Sequence, residues 1–366
     1  MNSYLLIDLK AIRHNVEQLR TEIGPDTKLI PVLKGDGYGL EAVKLAHFLD
    51  GVGGIDTFAV SQPAEGVELR RAGIGQRILV MSLPLDFQLE EMAEYDLIPT
   101  LGSFAQFPAL LALAGKTGKQ IPVSLKLDTG LHRIGFLPEE ADELCGALNR
   151  AKEQIRVVDT FSHFMCDTEE QIELQSGRFS GYIERLRGAG IDPGLCHIAS
   201  SSSLEANRGV CYDAVRVGRR LFLDHPAQPT GRIQEAFSFR AYLTDVRTRK
   251  AGETLGYNSR VILERDTRVG VLSVGYGDGL EPNLAEVRAP VLVNGRRAKL
   301  LACCMDQSFV DLGEIPCQAG DETTLFGHDG KGSFLSSQEV AGMIGWEGCD
   351  LTVRLTNRVQ RIYSEE

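Results

Sequence analysis

The first two-thirds of the chain repeats one pattern, in which a short apolar, β-branched run and a turn are followed by apolar residues at helical spacing. Strands that alternate with helices pair in parallel, and eight such units are typical of a closed (β/α)8 barrel of about 250 residues. A doubly wound open sheet is the structural alternative. The predicted strands are 28–33, 57–60, 77–82, 97–101, 122–128, 157–164, 194–200 and 214–218, and the clearest helices are 41–49, 63–73 and 169–190.

After about Ile233 the pattern changes to longer alternating runs separated by turns. Asn294-Gly295, between Val293 and Arg296, is a strong signal for a tight β-hairpin. We therefore expect an α/β protein with a barrel over 1–233 and a mostly antiparallel β domain over 234–366. The first strand, about 1–9, is a candidate to pair with that second domain. The runs that predict its strands are 236–250, 267–279, 289–303, 322–327 and 350–363.

Composition narrows the classes of partner. The 366 residues exceed the usual single-domain size, and 43% hydrophobic with 24% charged residues fits a globular protein. A net charge of −11 argues against nucleic acid or an anionic membrane as partner. No signal peptide is expected, because the N-terminus has no basic region before an apolar stretch. No membrane span is expected, because no apolar run reaches ~18 residues. Eight scattered cysteines without a C-x-x-C pair indicate reduced thiols in the cytoplasm and no metal site.

Lys34 is the most informative single residue. It follows the apolar run 28–33 and precedes the glycine-rich turn 35–39. Ammonium groups resist burial, so a lysine that ends a buried strand is unusual. Desolvation would make its amine nucleophilic and suited to a Schiff base with a carbonyl cofactor such as pyridoxal phosphate. The alternative interpretation is a surface lysine beside a loop.

Polar residues also follow the other predicted strands, and a barrel places its active site at these carboxyl ends. Taken singly, each has an ordinary explanation: Lys126 as an outward-pointing residue, His163 as a core histidine, and 200–203 as a helix cap. Their convergence on one rim predicts a site. The residues expected there with Lys34 are Asp128, Thr129, Gly130, Arg133, His163, Ser200, Ser201, Arg216 and Gly218.

Eight motifs in the right order resemble the landmarks of the alanine racemase family. The resemblance covers essentially the whole chain and implies pyridoxal phosphate-dependent interconversion of L- and D-amino acids, with alanine as the expected substrate. The motifs are PVLKGDGYGLE (31–41), KLDTGLHRIGF (126–136), SHFMCDTE (162–169), VRVGRR (215–220), LGYNSR (255–260), SVGYGDG (273–279), VNGRR (293–297) and CCMDQ (303–307).

The resemblance implies a set of cofactor contacts. Lys34 would carry pyridoxal phosphate as a Schiff base, while Tyr38, Ser201 and the backbone of Gly218 would hold its phosphate. Arg216 would donate to the pyridine nitrogen. A guanidinium does not give up its proton, so the pyridine would stay unprotonated and be a weaker electron sink. Arg216 therefore favours racemisation over decarboxylation.

The resemblance also implies two bases from two subunits. Lys34 would serve one face of the substrate α-carbon, and Tyr257 of the partner subunit's β domain the other. His163 would help to lower the pKa of Tyr257, whose reference value is about 10. The protein would therefore be a homodimer with shared active sites. The implied substrate contacts are the Arg133 guanidinium, the Met305 amide and, at the entrance, Tyr276 of the partner subunit.

Some positions depart from the family's pattern. Gly35-Asp36-Gly37 replaces Ala-Asn-Ala and is expected to loosen the lysine loop, and Ser200 replaces an asparagine. Asn357, on the predicted final strand, replaces a tyrosine of many members. These changes leave a serine or broader-specificity racemase as an alternative. A related decarboxylase or dehydratase is disfavoured by Arg216.

The resemblance also bears on a non-catalytic alternative and on a modification of Lys126. A non-catalytic protein that only binds pyridoxal phosphate is disfavoured, because that class lacks the β domain and with it Tyr257. Lys126, in KLDTG, is expected to be N-carboxylated by CO2, as its match often is in this family. The resulting anion would orient Arg133 by charge-assisted hydrogen bonds.

Overall fold

The computed structural model describes residues 2–166, 168–205, 211–224 and 231–365, apart from the side chain of residue 205. Met1, Glu366 and residue 167 of the SHFMCDTE motif lie outside the described residues. The chain divides into two compact units. The barrel unit comprises Val16–Gly37 and Ala42–Leu221, and the β unit comprises Met1–Asn15, Tyr38–Glu41 and Phe222–Glu366.

Strand β1 (Ser3–Asp8) belongs to the β unit, and the next eight strands form the parallel ring of the barrel unit. These are β2 (Lys28–Pro31), β3 (Thr57–Val60), β4 (Arg77–Val80), β5 (Ile98–Leu101), β6 (Ile121–Lys126), β7 (Ile155–Phe161), β8 (Leu195–His197) and β9 (Ala214–Val217). Strands β3 to β8 pair in sequence order, and β2 pairs with β9. Parallel bridges from Val32 to Ala59 and from Ser200 to Arg216 close the ring. The predicted barrel is confirmed, and the open-sheet alternative is wrong.

The barrel strands are buried because both faces of the sheet are covered, which explains their continuous apolar runs. Helices separate the strands in the chain. Helix α4 starts with Pro63, whose missing N–H costs nothing at a helix start, and α6 ends at Gly118 in the left-handed region. The helices are α1 (Leu9–Ile23), α2 (Lys34–Gly39), α3 (Ala42–Val52), α4 (Pro63–Arg71), α5 (Leu89–Glu94), α6 (Phe107–Thr117), α7 (Ala141–Arg150), α8 (Glu169–Gly188) and α9 (Ser201–Glu205).

The β unit is built on a nine-stranded, mostly antiparallel sheet. Strand β1 pairs with the first long strand after residue 233, with Leu5 opposite Phe239. The predicted hairpin at Asn294-Gly295 is present, with φ of 48° and 77°. The remaining elements are β10 (Phe237–Arg249), β11 (Thr254–Leu255), β12 (Val261–Ile262), β13 (Thr267–Leu272), α10 (Asn283–Glu286), β14 (Pro290–Val293), β15 (Arg296–Cys303), β16 (Ser308–Asp311), β17 (Glu322–His328), β18 (Phe334–Leu335), α11 (Ser337–Gly342), α12 (Gly348–Val353) and β19 (Gln360–Ser364).

The predicted strand 350–363 is wrong in its first half. Helix α12 occupies Gly348–Val353, and only Gln360–Ser364 is strand. The Asp350 carboxylate accepts a hydrogen bond from the Glu347 N–H at 3.0 Å, and this helix cap outweighs the β-branched pattern. Asn357 consequently lies in an exposed turn and not on the final strand.

Two chemical features concern the whole described chain. All eight cysteines, each within the described ranges, are free thiols. Among the helices of the described residues, none combines the length and apolar character that crossing a membrane requires.

Candidate active site

Lys34 starts a left-handed turn. Every residue from 35 to 39 has a positive φ: 61° at Gly35, 53° at Asp36, 63° at Gly37, 60° at Tyr38 and 80° at Gly39. This conformation costs roughly 1–2 kcal/mol for each L residue with a side chain, whereas glycine adopts it freely. The glycines therefore match the left-handed conformation of this turn.

Glu65, in the first turn of α4, fixes the backbone at the start of this turn. Its carboxylate accepts hydrogen bonds from the Gly35 N–H at 2.7 Å, the Ser61 N–H at 2.7 Å and the Gln62 N–H at 2.9 Å. One side chain thus ties the lysine turn to the start of a helix. The Lys34 side chain itself is exposed, so the expectation that it is buried at the end of its strand is wrong.

Arg216, in β9, is a buried arginine, with only 3% of its surface exposed. Nη2 donates to Ser162 O at 2.7 Å, to Ile198 O at 3.3 Å and to His163 Nδ1 at 3.1 Å. Nη1 donates to His197 Nδ1 at 2.6 Å and to His197 O at 3.2 Å. Nε–H donates to none of the described residues, so one N–H remains for a ligand. Burial lowers the pKa of Arg216 to about 10, which leaves it a cation at neutral pH.

Arg216 fixes the tautomers of two histidines. A guanidinium can only donate, so Nδ1 of His163 and of His197 must accept. Burial and then the Arg216 charge lower the pKa of His163 to about 3, and burial lowers that of His197. Both rings are therefore neutral and carry their proton on Nε2. His163 is thus a hydrogen-bond donor at Nε2.

Lys126 ends β6 with only 2% of its surface exposed, so the outward-pointing interpretation is wrong. Its Nζ donates to Leu127 O at 2.6 Å and lies 5.4 Å from the centroid of the Phe161 ring. Burial, followed by the charges of Arg216 and Arg133, lowers its pKa to about 7. An appreciable fraction of Lys126 is therefore a neutral amine at neutral pH.

Five predicted residues come together in the barrel unit. Burial has the largest effect on the pKa of His163, and four nearby cations lower it further. In decreasing order of effect, they are Arg216, Arg133, Lys126 and Lys34. His163 therefore lies among cations of the predicted site, and the interpretation as an ordinary core histidine does not account for them. The rim is strongly cationic, which suits a ligand that carries a phosphate and a carboxylate.

Ser201 and Gly218 lie beyond two adjacent strands, β8 and β9. Ser201 begins α9 and accepts from the Arg220 N–H at 3.5 Å. Ser203 accepts from the Ser200 N–H at 2.8 Å and donates to Ser200 O at 3.0 Å, so part of the serine run caps the helix as the ordinary explanation has it. Hydroxyls and backbone amides at this edge suit a phosphate.

Tyr257 and Tyr276 lie in the β unit and line one cavity of about 760 Å³. Both are exposed for aromatic residues, at 65% and 41%. Asn258 and Ser259 follow Tyr257 with φ of 58° and 51°, a strained conformation of the kind found at functional sites. The two tyrosines therefore present their rings on one surface of this unit.

Met305 and Asn357 lie close to Tyr276 in the β unit. Gly277 N donates to Met305 O at 2.8 Å, and the Thr356 hydroxyl donates to Gly277 O at 3.0 Å. The turn that carries Asn357 is thereby attached to the segment that carries Tyr276. Met305 is 47% exposed.

Tyr38 is the remaining predicted residue of the β unit. It is half-buried, and its ring centroid lies 6.0 Å from that of Phe222.

Sequence reasoning did not single out Glu65, Asp159 or His197. His197 stands in the strand run 194–200, and Asp159 is a lone carboxylate within the β-branched run 157–164. A polar residue in the middle of a buried strand was the available signal, because such a residue needs a partner.

Comparisons with known proteins identify the family. Residues 7–226 match the model of the alanine racemase N-terminal domain, and residues 236–363 match the model of its C-terminal domain. The alanine racemase of Desulforamulus reducens is 31% identical over 366 residues, covering 98% of this chain and 97% of that protein.

Solved structures give the same result. Alanine racemase from D-cycloserine-producing Streptomyces lavendulae is 31% identical with a TM-score of 0.92, covering 100% of this chain and 97% of that one. The Bartonella henselae enzyme, solved with covalently bound pyridoxal phosphate, is 23% identical with a TM-score of 0.87 over 100% of both chains and shares the fold. Both halves of the sequence and the fold lead to one conclusion: the chain belongs to the alanine racemase family, whose members depend on pyridoxal phosphate.

Proposed function

We propose that this protein is a pyridoxal phosphate-dependent racemase that interconverts L- and D-alanine. The observation that carries the proposal is the state of Arg216, a buried cation with one N–H that no described residue accepts. A cation that keeps its proton, placed beside a lysine-bearing turn, suits pyridoxal phosphate in a reaction that returns a proton to the substrate α-carbon and releases no CO2.

The residues fit the proposed cofactor. Lys34 would carry it, the Arg216 Nε–H would donate to its pyridine nitrogen, and Ser201, Gly218 and Tyr38 would hold its phosphate. When bound, pyridoxal phosphate supplies electron withdrawal that acidifies the substrate α-proton.

The proton transfers would use two residues on opposite faces. The Lys34 amine would accept or return the α-proton on one face, and the Tyr257 hydroxyl of the partner subunit would do so on the other. Because the neutral His163 ring carries its proton on Nε2, it would donate to the Tyr257 oxygen. That hydrogen bond stabilises the phenolate and so favours Tyr257 as a base.

The substrate would be oriented by its carboxylate. Arg133 is exposed and lies close enough to lower the pKa values of Lys126 and His163, so it is available to pair with a ligand. The Met305 amide and Tyr276 of the partner subunit would complete the pocket. Asn357, attached through its turn to the Tyr276 segment, would line the side-chain end, which keeps serine as a second substrate.

We also infer a homodimer in which residues 1–233 bind the cofactor and residues 234–366 complete the partner's site. The exposed Tyr257, Tyr276 and Met305 support this inference, because large apolar side chains grouped on one surface are typical of an interface. The eight free thiols support a cytoplasmic location.

Mixed dimers test the sharing of sites. Lys34→Ala and Tyr257→Phe homodimers should each be nearly inactive. A hybrid of the two should regain activity, because one of its sites then has both wild-type residues. If unfolding and refolding the mixture restores no activity, the shared-site inference fails.

Chiral analysis of the product tests the reaction. Purified holoenzyme incubated with either alanine enantiomer should approach equal amounts of both, with no release of CO2 or ammonia. Lys34→Ala is the matched control. Reduction with borohydride followed by peptide mapping should place the pyridoxyl group on Lys34. Consumption of alanine with release of CO2, or no conversion at all, would refute the proposed function.

A further inference from the structure

Arg216 is a buried cation whose hydrogen-bond acceptors are all neutral. They are three backbone carbonyls and the Nδ1 atoms of two histidines. Arg133 and Lys34 add positive charge around the same point. A buried charge without a counter-ion is costly, so a compensating anion is required.

Asp159, in β7, provides a carboxylate on the far side of His197. It is 2% exposed, and its Oδ1 lies 3.6 Å from His197 Nε2 and accepts from the Ser124 hydroxyl. Its Oδ2 lies 3.2 Å from Nη2 of Arg77, whose side chain is 38% exposed. A chain of contacts therefore runs through the barrel unit from the cation Arg77 to the anion Asp159, then to the neutral His197 ring and the cation Arg216.

His197 Nε2 is buried and has no hydrogen-bond partner among the described residues. Its distance to Asp159 is too long for a hydrogen bond but short for an electrostatic contact in a dry interior. Arg216 and Asp159, on either side of the His197 ring, favour the same tautomer. Arg216 requires Nδ1 to accept, and a carboxylate beside Nε2 favours a proton there.

We propose that Asp159 is a positioning residue, the counter-ion that acts through His197 to hold Arg216 charged and in one orientation. Among the charges that act on the Arg216 pKa, Asp159 is the one that raises it. For its catalytic consequence the inference rests on the proposed function, since Arg216 would contact the cofactor. Asp159 would contact neither cofactor nor substrate, because it is buried on the far side of His197 from Arg216.

The tautomer of His197 is a direct test in the holoenzyme without substrate. In ¹⁵N-histidine-labelled protein, with His197→Gln to assign the resonance, wild type should show a neutral ring protonated on Nε2. Asp159→Asn should give a mixture of tautomers, because without the carboxylate Arg216 loses its single orientation and no longer donates to Nδ1 in every molecule, while the carboxamide can donate to Nε2 as well as accept from it. A wild-type ring that is protonated on Nδ1, or charged, overturns the proposal even if the variant does not fold.

Steady-state kinetics separates positioning from packing. Asp159→Asn should lower kcat about tenfold or more and change KM less than about twofold. Ser124→Ala is the matched control, because it removes a hydrogen bond to the same carboxylate oxygen and leaves the charge. It should keep the wild-type tautomer and a kcat within about twofold. Equal losses in both variants, or no loss in Asp159→Asn, would overturn the proposal.

The two readouts distinguish this inference from the proposed function. If the protein converts no alanine but His197 responds to Asp159→Asn, the function is wrong and the counter-ion role stands. If alanine is racemised and neither the His197 tautomer nor kcat responds, the function stands and the inference is wrong.

Discussion

Substituting Gly37 by alanine tests the left-handed turn that carries Lys34. The residue has φ of +63°, and an added Cβ would lie 2.7 Å from Leu45 Cδ1 and 3.2 Å from Ala42 Cα. The conformation costs about 1–2 kcal/mol for a residue with a side chain. Overpacking against the fully buried Leu45 adds about 1–3 kcal/mol, and the lower entropy of the unfolded chain returns about 0.4–1 kcal/mol. The expected loss of unfolding free energy is about 2–4 kcal/mol.

Two other glycines separate the contributions. Gly24 has φ of +79° with nothing within 4 Å of the added Cβ, so Gly24→Ala should lose only the conformational part, about 1 kcal/mol. Gly51 lies in α3 with the same open space and no positive φ, so Gly51→Ala should be neutral or gain up to about 1 kcal/mol.

Urea unfolding of the cofactor-free protein measures all three variants. The expected order of stability is Gly51→Ala, then Gly24→Ala, then Gly37→Ala. The turn also positions Lys34, so Gly37→Ala should lose kcat/KM while the other two keep it. If Gly37→Ala is as stable as Gly51→Ala, the left-handed turn is not what this sequence specifies.

Three further predictions concern charge and specificity. Burial raises the pKa of Glu235 to about 7, so the folded state binds the extra proton and stability falls as pH rises from about 4.5 to 7. Relative to wild type, the free energy of unfolding of Glu235→Gln should therefore be up to about 3 kcal/mol higher at pH 8 and unchanged at pH 4, as measured by urea unfolding at both pH values. A difference that does not change with pH would contradict this. The partly neutral Lys126 amine should react with CO2, so ¹³C-labelled bicarbonate should give a carbamate resonance that Lys126→Met lacks; full activity after removal of CO2, with a free amine in the crystal, would exclude it. Asn357 can pair with a substrate hydroxyl, so the serine-to-alanine ratio of kcat/KM should be about tenfold higher in wild type than in Asn357→Tyr, and an equal ratio would remove the argument.

The barrel could be predicted because its strands are short β-branched runs bounded by turns, and this local signal agrees with the parallel sheet. The segment 350–363 failed because a helix cap at Asp350 competes with alternating residues, and periodicity alone does not weigh the two. The left-handed turn was missed for a similar reason. A glycine-rich segment permits either looseness or one strained conformation, and the choice depends on partners such as Glu65 that are distant in sequence.

The site could be predicted only as a set of residue types. The motifs indicated Lys34, His163 and Arg216, but burial and protonation depend on neighbours brought by other strands. Lys34 proved exposed, whereas Lys126 proved buried. The role inferred for Asp159 required the contacts from Arg77 through Asp159 and His197 to Arg216, which join residues far apart in the sequence.

The central claim is that Lys34 and Tyr257 act on opposite faces of the substrate. Single-turnover exchange of the α-hydrogen with deuterium oxide, measured for each alanine enantiomer in Tyr257→Phe holoenzyme, tests it most directly. We predict that the cofactor stays bound and that exchange starting from L-alanine slows ~10²-fold or more, with a smaller effect from D-alanine. Near-normal exchange from both enantiomers would show that Tyr257 is not a base and would contradict the two-base account.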